Sequence, residues 1–160
     1  MEEQPGPTVA AILAFLDGPG GALSPVRLDA AEIDVRAHGG AGAGTSGVGG
    51  IETTLLYGDP AEAGPYAIEI RVPANTRIAP HSHRDSRFAM VVSGEWHFGY
   101  GAADPGQAGT LTAGGFYTEP AGAPHFAFTG AAPAVVYITG TGPSDTRFVS
   151  AADAPAARHP

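Results

Sequence analysis

The sequence predicts an all-β protein, an antiparallel sandwich or barrel with a short helix near its N-terminus, and three observations lead to that class. Past residue 50 the chain is a succession of short runs of β-branched and aromatic residues. Gly, Pro, Asn and Asp break those runs at close intervals. Between residues 51 and 140 no segment carries the apolar period of a helix.

Taken in order, residues 8–16 (TVAAILAFL) place Val9, Ile12, Leu13 and Leu16 at helical spacing, and Asp17-Gly18-Pro19-Gly20 ends the run. The expected element is a short amphipathic helix that packs its apolar stripe on the barrel exterior or on a second subunit. From Gly39 to Gly50 the sequence GGAGAGTSGVGG suits a linker or hairpin tip, with a lid as the alternative. The expected strands are Ile51 to Tyr57, Tyr66 to Val72, Phe88 to Val92, Glu95 to Tyr100, Phe116 to Glu119, His125 to Phe128 and Val135 to Thr139. The stretches AEAGP, PANT, GAADPGQAG and TGAAP supply the turns. Residues 1–50 thus read as a helix and Gly-rich extension packing on the barrel, 51–148 as the barrel, and 149–160 as a tail covering one barrel end.

Composition excludes several functions. A chain of 160 residues with 43% apolar and 15% charged residues fits one soluble domain. All eight basic residues are arginine and the formal net charge is −8, so no basic face for nucleic acid is expected. With no cysteine, a metal site must use His, carboxylate or water. The apolar run Val9 to Leu16 follows Glu2 and Glu3 and is far too short to span a bilayer, so neither a signal peptide nor a membrane span is expected, and a cytoplasmic location is.

The chemistry lies in the histidines. His81 and His83 are two apart, which on a strand puts both imidazoles on one face, and a third from a distant strand can join them across a lumen. His-x-His alone is commonly an ordinary surface pair. Here, however, HSHRDSRFAMVVSG resembles the first motif of the cupin superfamily, with Gly94 where that motif has its glycine. GGFYTEPAGAPH resembles the second motif, Gly-x5-Pro-x-Gly-x2-His, through Gly114, Pro120, Gly122 and His125. The resemblance covers roughly residues 51 to 145 and implies a small single-domain cupin, a jelly-roll barrel of the conserved-barrel type, with His81, His83 and His125 as ligands of one divalent metal ion. Dimers are common in that family, so a homodimer is expected.

The family's usual fourth ligand, a glutamate, falls where this chain has Arg87, which has no lone pair to give. The resemblance then implies a three-His site like those of thiol and diketone-cleaving dioxygenases, or a barrel that has lost its metal. Arg87 next to the ion is either a fork for an anionic substrate or a partner in a salt bridge, with Asp85 or Glu69 as candidates. Glu119 is a fourth ligand, the partner of Arg87, a general base, or a solvent-facing residue at a strand end. Tyr117 shares its strand face by the period-two rule. Trp96, Phe98 and Tyr100 alternate on one strand and are expected to line the substrate pocket, with His97 outside and His38 and His159 solvated. The expected function is a metal-dependent enzyme acting on a small anionic or enolisable molecule, with an Fe(II) dioxygenase favoured. The alternatives are a Zn, Ni or Mn Lewis-acid isomerase, cyclase or lyase, and a non-catalytic metal or small-molecule sensing domain.

Overall fold

The structure, a computed structural model, describes residues 23–101 and 105–156. The helix expected over residues 8–16 lies outside the described residues, as does His159. The helix that is described, α1 (Ala30–Asp34), starts with a capping box in which the Asp29 carboxylate accepts from the Glu32 amide and Glu32 reaches back to the Asp29 amide. No helix among the described residues is long and apolar enough to cross a membrane.

The strands among the described residues are β1 (His38–Gly39), β2 (Glu52–Tyr57), β3 (Gly64–Val72), β4 (Arg77–Ser82), β5 (Arg87–Ser93), β6 (Trp96–Tyr100), β7 (Gly109–Leu111), β8 (Phe116–Glu119), β9 (His125–Phe128), β10 (Ala134–Gly142) and β11 (Arg147–Phe148). They form two antiparallel sheets, ordered β1-β2-β3-β10-β5-β8 and β11-β4-β9-β6-β7, which face each other as a jelly-roll barrel. Ile68, Ile70, Val91 and Val136 of the larger sheet meet Ile78, Trp96 and Phe98 of the smaller across the core. Each such side chain contributes about 1.5–3 kcal/mol by leaving water. The strand β10 lies between β3 and β5, so it joins the two halves of the larger sheet.

All seven expected strands are present, with ends differing by up to a few residues. Among the strands beyond those seven, β4 matters most, and it contains Pro80, although proline is rare inside a strand. The proline sits at a bulge. The β4/β9 register runs from Ile78 opposite Ala127 to His81 opposite His125, one residue longer on β4 than on β9. The extra residue reverses the parity of the strand, so Ile78 and His81, three apart, both face the lumen. Without it the period-two rule would turn His81 outward.

The motif glycines have structural reasons too. Gly94 has φ 78°, and a Cβ there would lie 2.1 Å from the Pro133 carbonyl oxygen, so no other residue fits the turn from β5 to β6. Gly122, at φ 73°, donates its amide to the His83 carbonyl at 2.8 Å and thereby ties the second motif to the first.

Candidate metal centre

His81 on β4 and His125 on β9 face each other across the strand pair, and His83 follows just past the end of β4. The ring centroids are 4.9 Å apart for His81 and His83, 4.4 Å for His81 and His125, and 5.1 Å for His83 and His125. One ring nitrogen of each lies within 4.8 Å of the others, and all three side chains are buried. Phe148 of β11 covers His81 from outside the trio, its ring centroid 5.6 Å away.

Backbone carbonyls decide which nitrogens converge. Nδ1 of His81 meets the Ala79 carbonyl at 2.7 Å, Nδ1 of His83 the Asp145 carbonyl at 2.6 Å, and Nδ1 of His125 the Ala123 carbonyl at 3.1 Å. A carbonyl only accepts, so each Nδ1 carries the proton and each Nε2 presents a lone pair to the lumen. Outer partners that fix the tautomer in this way are what metal-ligating histidines need. Burial holds the His81 and His125 imidazoles down at about 4, and burial together with the Arg87 charge pushes His83 lower still, so all three stay neutral. The donor set therefore suits a divalent transition ion. Its fit is tested by His125 Nε2, a buried acceptor with no hydrogen-bond partner. Such an orphan costs about 1–3 kcal/mol, and an ion at the centre of the trio is the partner its lone pair lacks.

Arg87 and Glu119 are cross-strand partners on β5 and β8, each 3% exposed. Arg87 Nε donates to Glu119 Oε2 at 2.5 Å, Nη1 to the Gly44 carbonyl at 2.6 Å, and Nη2 to His83 Nε2 at 2.7 Å. The fork expected to hold a substrate anion therefore already holds the carboxylate of this chain's own Glu119. Of the acids the sequence offered as its partner, Glu119 is used, and Asp85 and Glu69 are not. Asp85 accepts from Tyr66 and Ser144, and Glu69 pairs with Arg71. The expectation that Glu119 faces solvent is likewise corrected, because the four-residue β8 keeps its alternation to the last residue and turns Glu119 inward with Tyr117.

Tyr117, Trp96 and Phe98 line the lumen, and Trp96 Nε1 donates to the Tyr117 hydroxyl at 3.2 Å. Tyr100 does not join them. It is 52% exposed at the end of β6, where its hydroxyl donates to the Thr118 carbonyl at 2.7 Å. The alternation of β6 runs out at the barrel rim, so the third aromatic of the series has no interior to face. His97 is outside and stacks on Phe128 at 4.5 Å, and His38 bonds Thr54.

Sequence reasoning missed the residues that serve the site through backbone atoms, Ala79, Ala123, Asp145 and Gly44, because a carbonyl gives no sequence signal. The Gly-rich stretch is more than a linker, since Gly44 to Val48 form one wall of the lumen. Thr146 connects that wall to the trio, donating to the Thr45 carbonyl at 2.8 Å with its oxygen 3.3 Å from His83 Nδ1. The cavity beside the histidines measures ≈ 40 Å³, room for about two to four waters.

A jelly-roll barrel with convergent histidines from both motifs defines a cupin with a metal-binding geometry. The match to a family model is narrower: residues 43–145 fit the ChrR cupin-like domain, and the chain belongs to that family. A search of the curated proteins finds no significant match. Among solved structures, the polyketide cyclase RemF from Streptomyces resistomycificus is similar with 18% identity and a TM-score of 0.63, over 84% of this chain and 90% of that one. An oxalate oxidase shares 27% identity with a TM-score of 0.51, over 68% of this chain and 60% of that one. A structure from work on the DMSP lyases RdDddP and RnDddQII shares 21% identity with a TM-score of 0.54, over 62% of this chain. The present chain spans only 53% of that protein's length.

Proposed function

We propose that the protein is a metal-dependent enzyme that holds one divalent ion through His81, His83 and His125 and acts on a small anionic or enolisable molecule, with Fe(II)-dependent oxygenation as the first reading. The observation that supports it most is the set of three buried Nε2 lone pairs, each fixed by a carbonyl on the opposite ring nitrogen. A divalent ion held there supplies Lewis acidity and, as Fe(II), a centre that can engage O₂.

The chain's own residues set the conditions around it. Ile68, Ile78, Trp96, Phe98 and Ile138 exclude water and strengthen every charge interaction inside. Arg87 and Glu119 neutralise each other, and the three imidazoles are neutral, so the charge of the ion stays uncompensated and favours an anionic ligand. The size of the cavity limits that ligand to a few heavy atoms unless the Gly44 to Val48 wall moves.

A second reading, Lewis-acid isomerisation, cyclisation or elimination on Zn, Ni or Mn, is favoured by one feature: Glu119 is a buried carboxylate beside the trio, where a proton acceptor is needed. Metal analysis of protein prepared without chelators, followed by O₂-uptake measurements over a panel of small oxo- and hydroxy-acids, separates the readings. Iron with substrate-dependent O₂ uptake that His83→Ala abolishes supports the first. Zinc, nickel or manganese with turnover under anaerobic conditions supports the second. Bound metal with no turnover points to a sensing domain, and absence of metal overturns the proposal.

A further inference from the structure

Two distances single out Glu119. Its Oε2 lies 3.6 Å from His83 Nε2 and 3.6 Å from His125 Nε2. Neither contact is a hydrogen bond, because both nitrogens present lone pairs and an ionised carboxylate has only lone pairs to offer. Acceptors facing acceptors in a site closed to water repel unless a cation stands between them. Arg87 meets this need on one side only: Nη2 reaches His83 Nε2 and Glu119 Oε2, while His125 Nε2 is left without a partner.

The separations of Glu119 from His83 and His125 are those of donors that share an ion, while His81 lies farther from the carboxylate. Two donors each about 2.1 Å from one ion, at an angle of about 110°, stand about 3.4 Å apart. The geometry points to Glu119 as a fourth protein ligand of the ion, giving a three-His, one-carboxylate site whose carboxylate comes from β8; the inference rests on the reading that the histidine trio holds an ion. The strand register explains how this arises. Arg87 and Glu119 lie directly opposite on β5 and β8, so a carboxylate from either strand reaches the same part of the lumen. The acid missing at position 87 is therefore supplied from across the ladder.

Arg87 is in this arrangement a positioning residue. Its Nε and Nη2 both reach Oε2 at 2.5 Å and hold the carboxylate in place. The two Arg87 donors already fill the lone-pair sites of Oε2, so an ion binds there only as one of them moves to Oε1, whose own sites are open to it. The lone pair of His83 cannot serve Arg87 and an ion at once, so loading the site leaves Nη2 with the carboxylate alone.

The test compares wild type, Glu119→Gln and His125→Ala for binding of Co²⁺ and Zn²⁺, by calorimetry against a competing chelator and by the visible spectrum of the Co²⁺ form. Glu119→Gln keeps the size of the side chain and an acceptor for Arg87. It is expected to bind one ion roughly 100-fold more weakly, with a Co²⁺ spectrum altered by loss of an anionic ligand. Unchanged affinity and spectrum overturn the inference. So does weaker binding with an unchanged spectrum, which makes Glu119 a positioning residue only. If wild type itself binds no ion, the reading of the trio as a metal site fails first, an outcome distinct from a wild type that binds and a variant that binds equally well. A crystal of the Zn²⁺-loaded wild type needs no variant: an Oε2–Zn distance of about 2.1 Å confirms the ligand, and one beyond about 3 Å removes it.

Discussion

The two ends of the lumen are equally buried and built from opposite materials. At one, Ile70 on β3, Val136 on β10 and Val91 on β5 stand in register and pack toward Trp96. At the other, one layer per strand step away, the same strands and their neighbours deliver Arg87, Glu119, His83 and His125, every one of them no more than 3% exposed. The apolar end is held by exclusion from water and gains from any side chain that fills the space. The polar end gains nothing from burial itself. It persists because its buried charges and lone pairs, His125 Nε2 excepted, have partners, and the partners come from five separate places: β4, β8, the turn before β9, the Gly-rich wall and the turn after β10. The two ends of one cavity are thus held by different means.

This separation can be broken, and the largest expected effect is on binding. His125→Ala removes the lone pair that lacks a partner, and metal affinity should fall roughly 100-fold or more, while the denaturation midpoint of the metal-free protein stays within a few degrees of wild type. Arg87→Met is next. It leaves the Glu119 carboxylate buried and unpaired, and chemical denaturation should show a loss of about 3–5 kcal/mol. At the apolar end, Ile70→Ala should cost about 2–5 kcal/mol in the same experiment, yet leave metal affinity within a fewfold of wild type. If the two ends are coupled, Ile70→Ala will weaken metal binding instead.

Acid gives a graded version of the comparison. Unfolded histidines titrate near 6.5, whereas the folded ones are held at about 4 for His81 and His125 and lower for His83. Because the folded values are depressed, the unfolded chain binds the extra protons, and stability falls as pH drops from 6.5 toward about 4. Thermal midpoints of metal-free protein should be flat above neutral pH and decline through that window, and His83→Ala should make the decline shallower. The smallest effect is expected at the rim, where Tyr100→Phe loses one exposed hydrogen bond to Thr118 and should cost no more than about 1 kcal/mol in chemical denaturation.

How far the sequence reveals each end follows from the range over which its determinants act. The meeting of three histidines was legible because His81 and His83 stand close together in one spaced motif and His125 closes a second. The partner of Arg87 was legible only as one of three acids, because the pairing with Glu119 depends on the register of β5 against β8, which no local pattern specifies. On β5 the pattern even misleads. Phe88, Met90 and Val92 face solvent while Arg87, Ala89 and Val91 face inward, so both faces read as apolar and the charge is on the inside. The bulge at Pro80 was not legible for a related reason, since a bulge is a property of two strands together and only one of them contains the proline.

The position of β10 has a consequence in time as well as space. Its partners β3 and β5 are both made earlier in the chain, and the larger sheet stays in two pieces until Ala134–Gly142 has left the ribosome. Until then β3 and β5 each present an open edge. A nascent chain halted before Ala134 is therefore expected to be sticky and unable to hold an ion, although all three histidines have already been synthesised.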